Sequence, residues 1–194
     1  KDILRQHTVY WPIMLHALGI SLPEKVFAHG WWMMGESKMS KSLGNVVDPR
    51  QMVSIYGLDA YRYFLLRDVP FGLDGNFSQE AIIKRYNSDL ANDLGNLVYR
   101  TLTMCEKYFS GSIPETDYHI FKNNPAALKI QEKIKQLRPT VYALLEDANF
   151  SLALEAIWEL IGLANKFVEE SKPWNLAKEQ KEDELKEVIR LLVD

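Results

Sequence analysis

The sequence predicts a mainly α-helical chain in which a short first part containing a strand precedes an antiparallel helical bundle. Three observations carry this. From residue 78 onward apolar residues return at three- and four-residue steps in four successive segments. The one apolar and aromatic run of strand character lies at 25–34, with Val26, Phe27, Ala28, Trp31, Trp32, Met33 and Met34. Between them, Pro70-Phe71-Gly72-Leu73-Asp74-Gly75-Asn76 is dense in turn formers. The expected division is therefore 1–76 and 77–194.

Taken in order, 7–18 reads as a helix with Val9, Ile13, Leu15 and Leu18 among its apolar positions and Gly19 at its end. The strand run 25–34 follows and is broken by Gly35-Glu36-Ser37. Asp48-Pro49 is a start signal for a short helical piece over 51–56, and 58–67 is another, with Tyr61, Phe64 and Leu65 on its apolar side. Beyond the 70–76 linker, Ser78 is a helix cap with Glu80 in the first turn, where a carboxylate meets unpaired N–H groups. The helix it opens runs to Phe109 on Leu90, Leu94, Leu97 or Val98, Thr101 and Leu102. A loop spans 111–119. A second helix follows Pro125, with Ile130, Ile134, Leu137, Val141 and Leu144 on one side and a kink expected near Pro139. A third covers 150–170 on Ala153, Ile157, Leu160, Ile161, Ala164, Phe167 and Val168, and a last one starts near Pro173 and uses Leu185, Val188, Ile189 and Leu192. Four stripes joined by short connections need mutual burial, which is the bundle.

The 194 residues carry a formal charge of −3, so any affinity for nucleic acid must come from local patches. Much of the negative charge is local, since 179–187 holds five acids against two lysines. The single Cys105 excludes a disulfide framework and a cysteine-only metal site within this chain, and falls in a helical pattern where a small buried residue is the default. No apolar stretch is long enough for a membrane span, so a soluble, reducing compartment, the cytoplasm, is expected.

Lys38-Met39-Ser40-Lys41-Ser42 follows the strand run directly and is closed by Gly44-Asn45. Two ammonium groups three residues apart on a hinge-bounded loop can follow a phosphate chain while negative charge develops on a departing pyrophosphate. Ser40 and Ser42 add hydrogen-bond donors, and Met39 is placed to anchor the loop between its charged neighbours. By itself the pentapeptide could equally be an exposed polar surface loop.

Context decides between these readings. The opening Lys1-Asp2-Ile3, His7, Trp11-Pro12, the run Val26-Phe27-Ala28-His29-Gly30, the lysine pentapeptide, Gly44-Asn45 and the segment from Tyr56-Gly57-Leu58-Asp59-Ala60 to Arg62-Tyr63-Phe64 stand in one order. In that order the chain resembles the class I aminoacyl-tRNA synthetases, and within them the methionine enzymes, over almost its whole length. The resemblance implies that 1–76 is the C-terminal remnant of an α/β nucleotide-binding, Rossmann-like catalytic domain. It implies activation of methionine with ATP and Mg2+, neither bound by this segment alone, and transfer to the methionine-specific tRNA. On it, Lys38 and Lys41 are catalytic, Lys41 above all. The pentapeptide Lys38, Met39, Ser40, Lys41 and Ser42, together with His29, contacts ATP, and His7, Trp11 and Asp2 contact L-methionine or its adenylate. Gln6 is a departure, standing where relatives often carry an aromatic residue. The histidine-and-glycine signature that cradles ATP in such enzymes does not occur, as His16-Ala17-Leu18-Gly19 has the wrong spacing. The expectation is therefore a chain that starts in mid-domain, inactive without an N-terminal half carried on the same polypeptide or a separate one.

In the bundle, Asn96 and Arg100 are four apart and project from one helical face, off the Leu90-Leu94-Leu97 stripe. Trp174 follows Pro173 in a first helical turn, where its ring could stand clear of the bundle and stack on an unpaired base. The resemblance points at the same three positions as the anticodon-reading residues. Trp31 and Trp32 are expected to divide between sheet core and interdomain packing, with one of them near substrate. Asp89 and Asp93, four apart, lack a third ligand for a metal and read as solvated or tRNA-facing surface. The competing readings are a non-catalytic tRNA-binding module or inactive paralogue, and a synthetase for another amino acid. The intact lysines and His7 count against the first, and Asn96, Arg100 and Trp174 count against the second.

Overall fold

The computed structural model describes residues 2–35, 37–40, 44–117 and 121–194, with the side chains of Asp2 and Asn123 left aside. The chain opens with one continuous helical run: α1 (Asp2–Arg5), a π-helical segment (Gln6–Tyr10) and α2 (Trp11–Ala17). Pro12 accounts for the widened turn, because its ring would collide with the carbonyl four residues back in a regular helix. The apolar stripe expected on this helix is largely unpartnered: Val9, Ile13 and Leu18 are exposed and Leu15 is half-buried.

The strand expected over 25–34 shortens to β1 (Trp32–Met34), which has antiparallel β2 (Ser37–Lys38) on one side and parallel β3 (Gly75–Asn76) on the other. Apolar composition favours extended backbone, but a strand needs a ladder, and both partners are two residues long. Met33 faces Lys38 and Met34 faces Ser37 in one pair; Trp32 aligns with Gly75 and Met33 with Asn76 in the other. Lys38, expected in a loop, is thus a strand residue, and the 70–76 linker contributes β3. Gly30 permits this: a Cβ there would lie 2.0 Å from the carbonyl oxygen of Leu73.

Helices α3 (Pro49–Tyr56) and α4 (Leu58–Arg67) follow the expected positions, α3 being capped by the Asp48 carboxylate, which accepts from the Arg50 N–H. Phe64, fully buried, centres a cluster with Met52, Tyr61, Phe77 and Ile82, against which Trp32 and Met39 pack. Ser78 caps α5 (Gln79–Arg85) through the Ala81 N–H as expected. The helix continues through a ten-residue π segment (Tyr86–Gly95) into α6 (Asn96–Phe109). Leu90, Leu94 and Leu97 are half-buried and Thr101 is buried, whereas Val98 and Leu102 turn to solvent.

Helices α7 (Pro125–Glu146) and α8 (Phe150–Ser171) form a hairpin, and α7 continues past Pro139. The single helix expected after Pro173 is two, α9 (Pro173–Lys178) and α10 (Glu182–Val193), separated by a turn with Gln180 at φ 59°. Glu182, Asp183 and Glu184 then open α10, where its dipole favours negative charge. One bundle cluster joins Phe121, Ile130, Phe167, Val188 and Leu191; a second joins Met104, Cys105, Val168, Leu185 and Ile189. Cys105 is a free, buried thiol, and burial raises its pKa.

Candidate active site and nucleic-acid interface

Alternation in the β1–β2 hairpin sorts the residues around the lysine segment. Trp32 and Met39 point to one face and pack against the Phe64 cluster. Trp31 and Lys38 fall on the other. There the Lys38 ammonium lies 3.9 Å from the centroid of the Trp31 ring, while Trp31 itself is 45% exposed. Trp31 also lines a cavity of about 310 Å3 together with His7 and His29. Three of the expected residues, Lys38, His29 and His7, therefore gather around one indole.

His7 sits on the π segment, with Nδ1 2.9 Å from the Ile3 carbonyl oxygen. A carbonyl only accepts, so Nδ1 carries a proton. Trp11 meets His7 edge to face at 6.1 Å, and a second groove of about 400 Å3 joins Gln6, His7, Tyr10, Trp11 and Met14. His29 donates through Nδ1 to the Gly30 carbonyl oxygen at 2.7 Å, so its Nδ1 likewise carries a proton. Lys41 and Ser42 lie outside the described residues, as does the Asp2 side chain.

Asn45 is the residue that sequence reasoning quoted without giving a role. Its Oδ1 accepts from the Ser40 N–H at 2.8 Å and its Nδ2 donates to the Lys38 carbonyl oxygen at 3.2 Å. Only this orientation of the amide satisfies both groups, so Asn45 bridges the first half of the lysine segment. Met39 is half-buried, anchored as expected between its charged neighbours.

In the bundle, Arg100 and Trp174 meet. The guanidinium carbon stands 5.6 Å from the indole centroid, and Nη1 donates to Glu169 Oε1 at 2.6 Å. Asn96, one turn earlier, is exposed. Trp174 does not stand clear of the bundle: it is half-buried, packed with α9 against the Met104–Val168 cluster, with the Arg100 guanidinium beside its ring. Glu169 is the unforeseen member; no periodicity in the sequence distinguishes it from its neighbours on α8.

Asp89 corrects the solvent-facing expectation. It is 7% exposed and accepts from the Tyr63 hydroxyl at 2.7 Å, from Arg85 Nη1 at 3.3 Å and from the Ser88 hydroxyl at 2.5 Å. Arg85 Nε reaches on to Asp68 at 3.0 Å. Burial alone would raise the Asp89 pKa; the Ser88 and Tyr63 hydrogen bonds and the Arg85 charge bring it below the ordinary carboxylate value. Burial and the Asp89 bond push Tyr63 far upward. Asp93, by contrast, is exposed, and partial desolvation followed by the nearby Asp89 charge raises its pKa. Two backbone carbonyls of the π segment bind α8: Asp89 O accepts from the Trp158 indole N–H at 3.3 Å and Asp93 O from the Asn165 amide at 3.0 Å. Among the described residues no cluster of three or more His, Cys, Asp or Glu could hold a metal, and no helix is long and apolar enough to cross a membrane.

A strand-borne lysine beside a histidine-lined cavity, joined by a parallel β3 to a long helix and bundle, agrees with the resemblance to the class I synthetases. The chain belongs to that family: the model described as tRNA synthetases class I (M) matches residues 1–102. The relatives narrow this to the methionine enzymes. The methionine–tRNA ligase of Halalkalibacterium halodurans is 51% identical over 184 residues, 95% of this chain and 27% of that protein. That of Bacillus subtilis is 48% identical over 202 residues, all of this chain and 29% of that protein. Among solved structures, the Mycobacterium tuberculosis methionyl-tRNA synthetase in complex with methionyl-adenylate superposes with a TM-score of 0.91 at 41% identity, covering 98% of this chain and 37% of that one. The chain thus spans 27–29% of the length of these curated relatives.

Proposed function

We propose that this chain supplies the phosphate-facing lysine segment and the anticodon-reading face of a methionine–tRNA ligase, divided between 1–76 and 77–194. In the first half-reaction the methionine carboxylate attacks the α-phosphorus of ATP; the carboxylate–phosphorus bond forms as the bond to the bridging oxygen breaks, and pyrophosphate leaves. Lys38 and Lys41 offset the charge that gathers on the departing group, a role for which a compact ammonium on a short segment is suited. His29, which lines a cavity with the Trp31 ring that Lys38 rests on, contacts the nucleotide, with Ser40 and Ser42 as donors to the phosphates. His7, Trp11 and Asp2 serve methionine, and the groove with Gln6 and Tyr10 gives its side chain an apolar wall. Asn96, Arg100 and Trp174 read the anticodon: an exposed amide, a cation and an indole face lie together, and stacking on such a face is worth about 1–3 kcal/mol per base.

The observation that carries this reading is the gathering of His7, His29 and Lys38 around Trp31. No ATP-cradling motif occurs in the 194 residues, so activation draws on further chain or a partner segment. The exposed apolar residues of the first helix, Ile13, Met14 and Leu18 among them, offer a surface for it. In the full-length protein, Lys41→Ala should lower methionine-dependent ATP–pyrophosphate exchange by about 10²–10³-fold; unchanged exchange would sink the role of the lysines. Trp174→Ala should weaken tRNA charging while leaving exchange nearly intact. Exchange with another amino acid, or anticodon binding with no exchange at all, would favour the competing readings.

A further inference from the structure

We propose that Trp31, which lines the cavity shared by His7 and His29, is a positioning residue for Lys38, its indole face serving as the seat that holds the ammonium. This rests on the ligase reading above and deepens it. Lys38 makes no ion pair among the described residues, yet its ammonium is not disposed at random: it lies 3.9 Å from the Trp31 centroid, well within the range of a cation–π contact. The hairpin register imposes the pairing. Lys38 stands opposite Met33, and Trp31, two residues before Met33, shares its face.

Trp31 is itself immobilised from both sides of its backbone. Its N–H donates to the Asp74 carboxylate at 2.7 Å, and its carbonyl oxygen accepts from the Gly75 N–H at 2.8 Å. Asn45 fixes the Lys38 carbonyl from the opposite direction. The seat and the backbone of Lys38 are therefore both held by the protein's own hydrogen bonds, which reduces what must be ordered when charge develops. An ammonium resting on a ring is held more weakly than one in a close ion pair, so a phosphate oxygen can draw it away from the indole at modest cost.

Two measurements on the full-length protein test this. Reductive methylation with 13C-formaldehyde gives each lysine a dimethylamine resonance, and Lys38→Arg identifies the one from Lys38. It should lie upfield of the solvent-exposed lysines through the Trp31 ring current, and return to them in Trp31→Leu. In ATP–pyrophosphate exchange, Trp31→Leu should lower kcat on the order of 3- to 20-fold with methionine KM little changed, and Trp31→Phe should recover most of the loss. In a Lys38→Met background the same Trp31→Leu change should add less than about twofold. An unshifted Lys38 resonance overturns the proposal, and so does a Trp31→Leu loss of equal size with or without Lys38. A parent protein without methionine-dependent exchange would overturn the ligase reading instead, while the resonance still reports whether the seat exists.

Discussion

Asp89 makes the sharpest case at the scale of the single residue, because one carboxylate serves Tyr63, Arg85 and Ser88 while almost fully buried. Asp89→Asn keeps an acceptor for Tyr63 but leaves Arg85 facing a neutral group. It should cost about 1–3 kcal/mol at pH 7, measured by chemical denaturation. The pH dependence follows from the sign of the shift. The folded pKa lies below the ordinary 3.8, so the contribution is fully present above that value and is lost as pH falls through the folded one. The gap between parent and variant should therefore be constant near neutrality and close only in acid. Asp93 works in the opposite sense, since its raised pKa means that protonation relieves it, and removing the Asp89 charge shrinks that effect. None of this was visible in sequence: two aspartates at a four-residue step describe a solvated face and a buried hub equally well. The lysine segment, Asn96 and Arg100 could be singled out in the sequence because the chemistry proposed for them depends on residue type and spacing. Glu169 and Asn45 were not, because their roles arise from where another element happens to pass.

At the scale of the element, most helices could be read from their apolar period and their caps, Ser78 and Asp48 among them. The failures have a common origin in partners. The run 25–34 has the composition of a strand throughout, but only 32–34 is flanked by chains that can complete a ladder. Residues 70–76 look like a linker, yet Gly75 and Asn76 pair with β1, and no local property of those residues announces it. The last helix divides at the turn around Gln180, which lets α9 lie against the Met104–Val168 cluster while α10 supplies buried residues to both bundle clusters. The close approach at Gly30 supports a direct test. A methyl group there would meet the Leu73 backbone, which cannot swing aside as a side chain would, so Gly30→Ala should destabilise the protein by about 2–4 kcal/mol. It should also release the Trp31 N–H from Asp74, seen as faster amide exchange at Trp31.

Across the whole molecule, α8 is the common surface: it packs on α7, α6 and α10, and through Trp158 and Asn165 it also holds the π segment. Tyr63 of α4 stacks on Trp158 with ring centroids 4.6 Å apart, so the first part of the chain is tied to the bundle by rings as well as by the Asp89 hub. The second tie is β3. Gly75 donates to the Trp31 carbonyl and Phe77 to the Met33 carbonyl, both at 2.8 Å, and one residue later Ser78 caps the helix that carries Asn96 and Arg100. The Gly75 and Phe77 amides should therefore exchange with solvent at rates matching β1 rather than those of a linker, and Tyr63→Phe should accelerate them less than Gly30→Ala does. Mechanically, these two bonds make the strand and the helix a single crank. Tilting the helix that carries Asn96 and Arg100 about its Ser78 end must drag the lysine-bearing hairpin along for as long as both bonds hold, so a motion imposed at one end arrives at the other as a displacement.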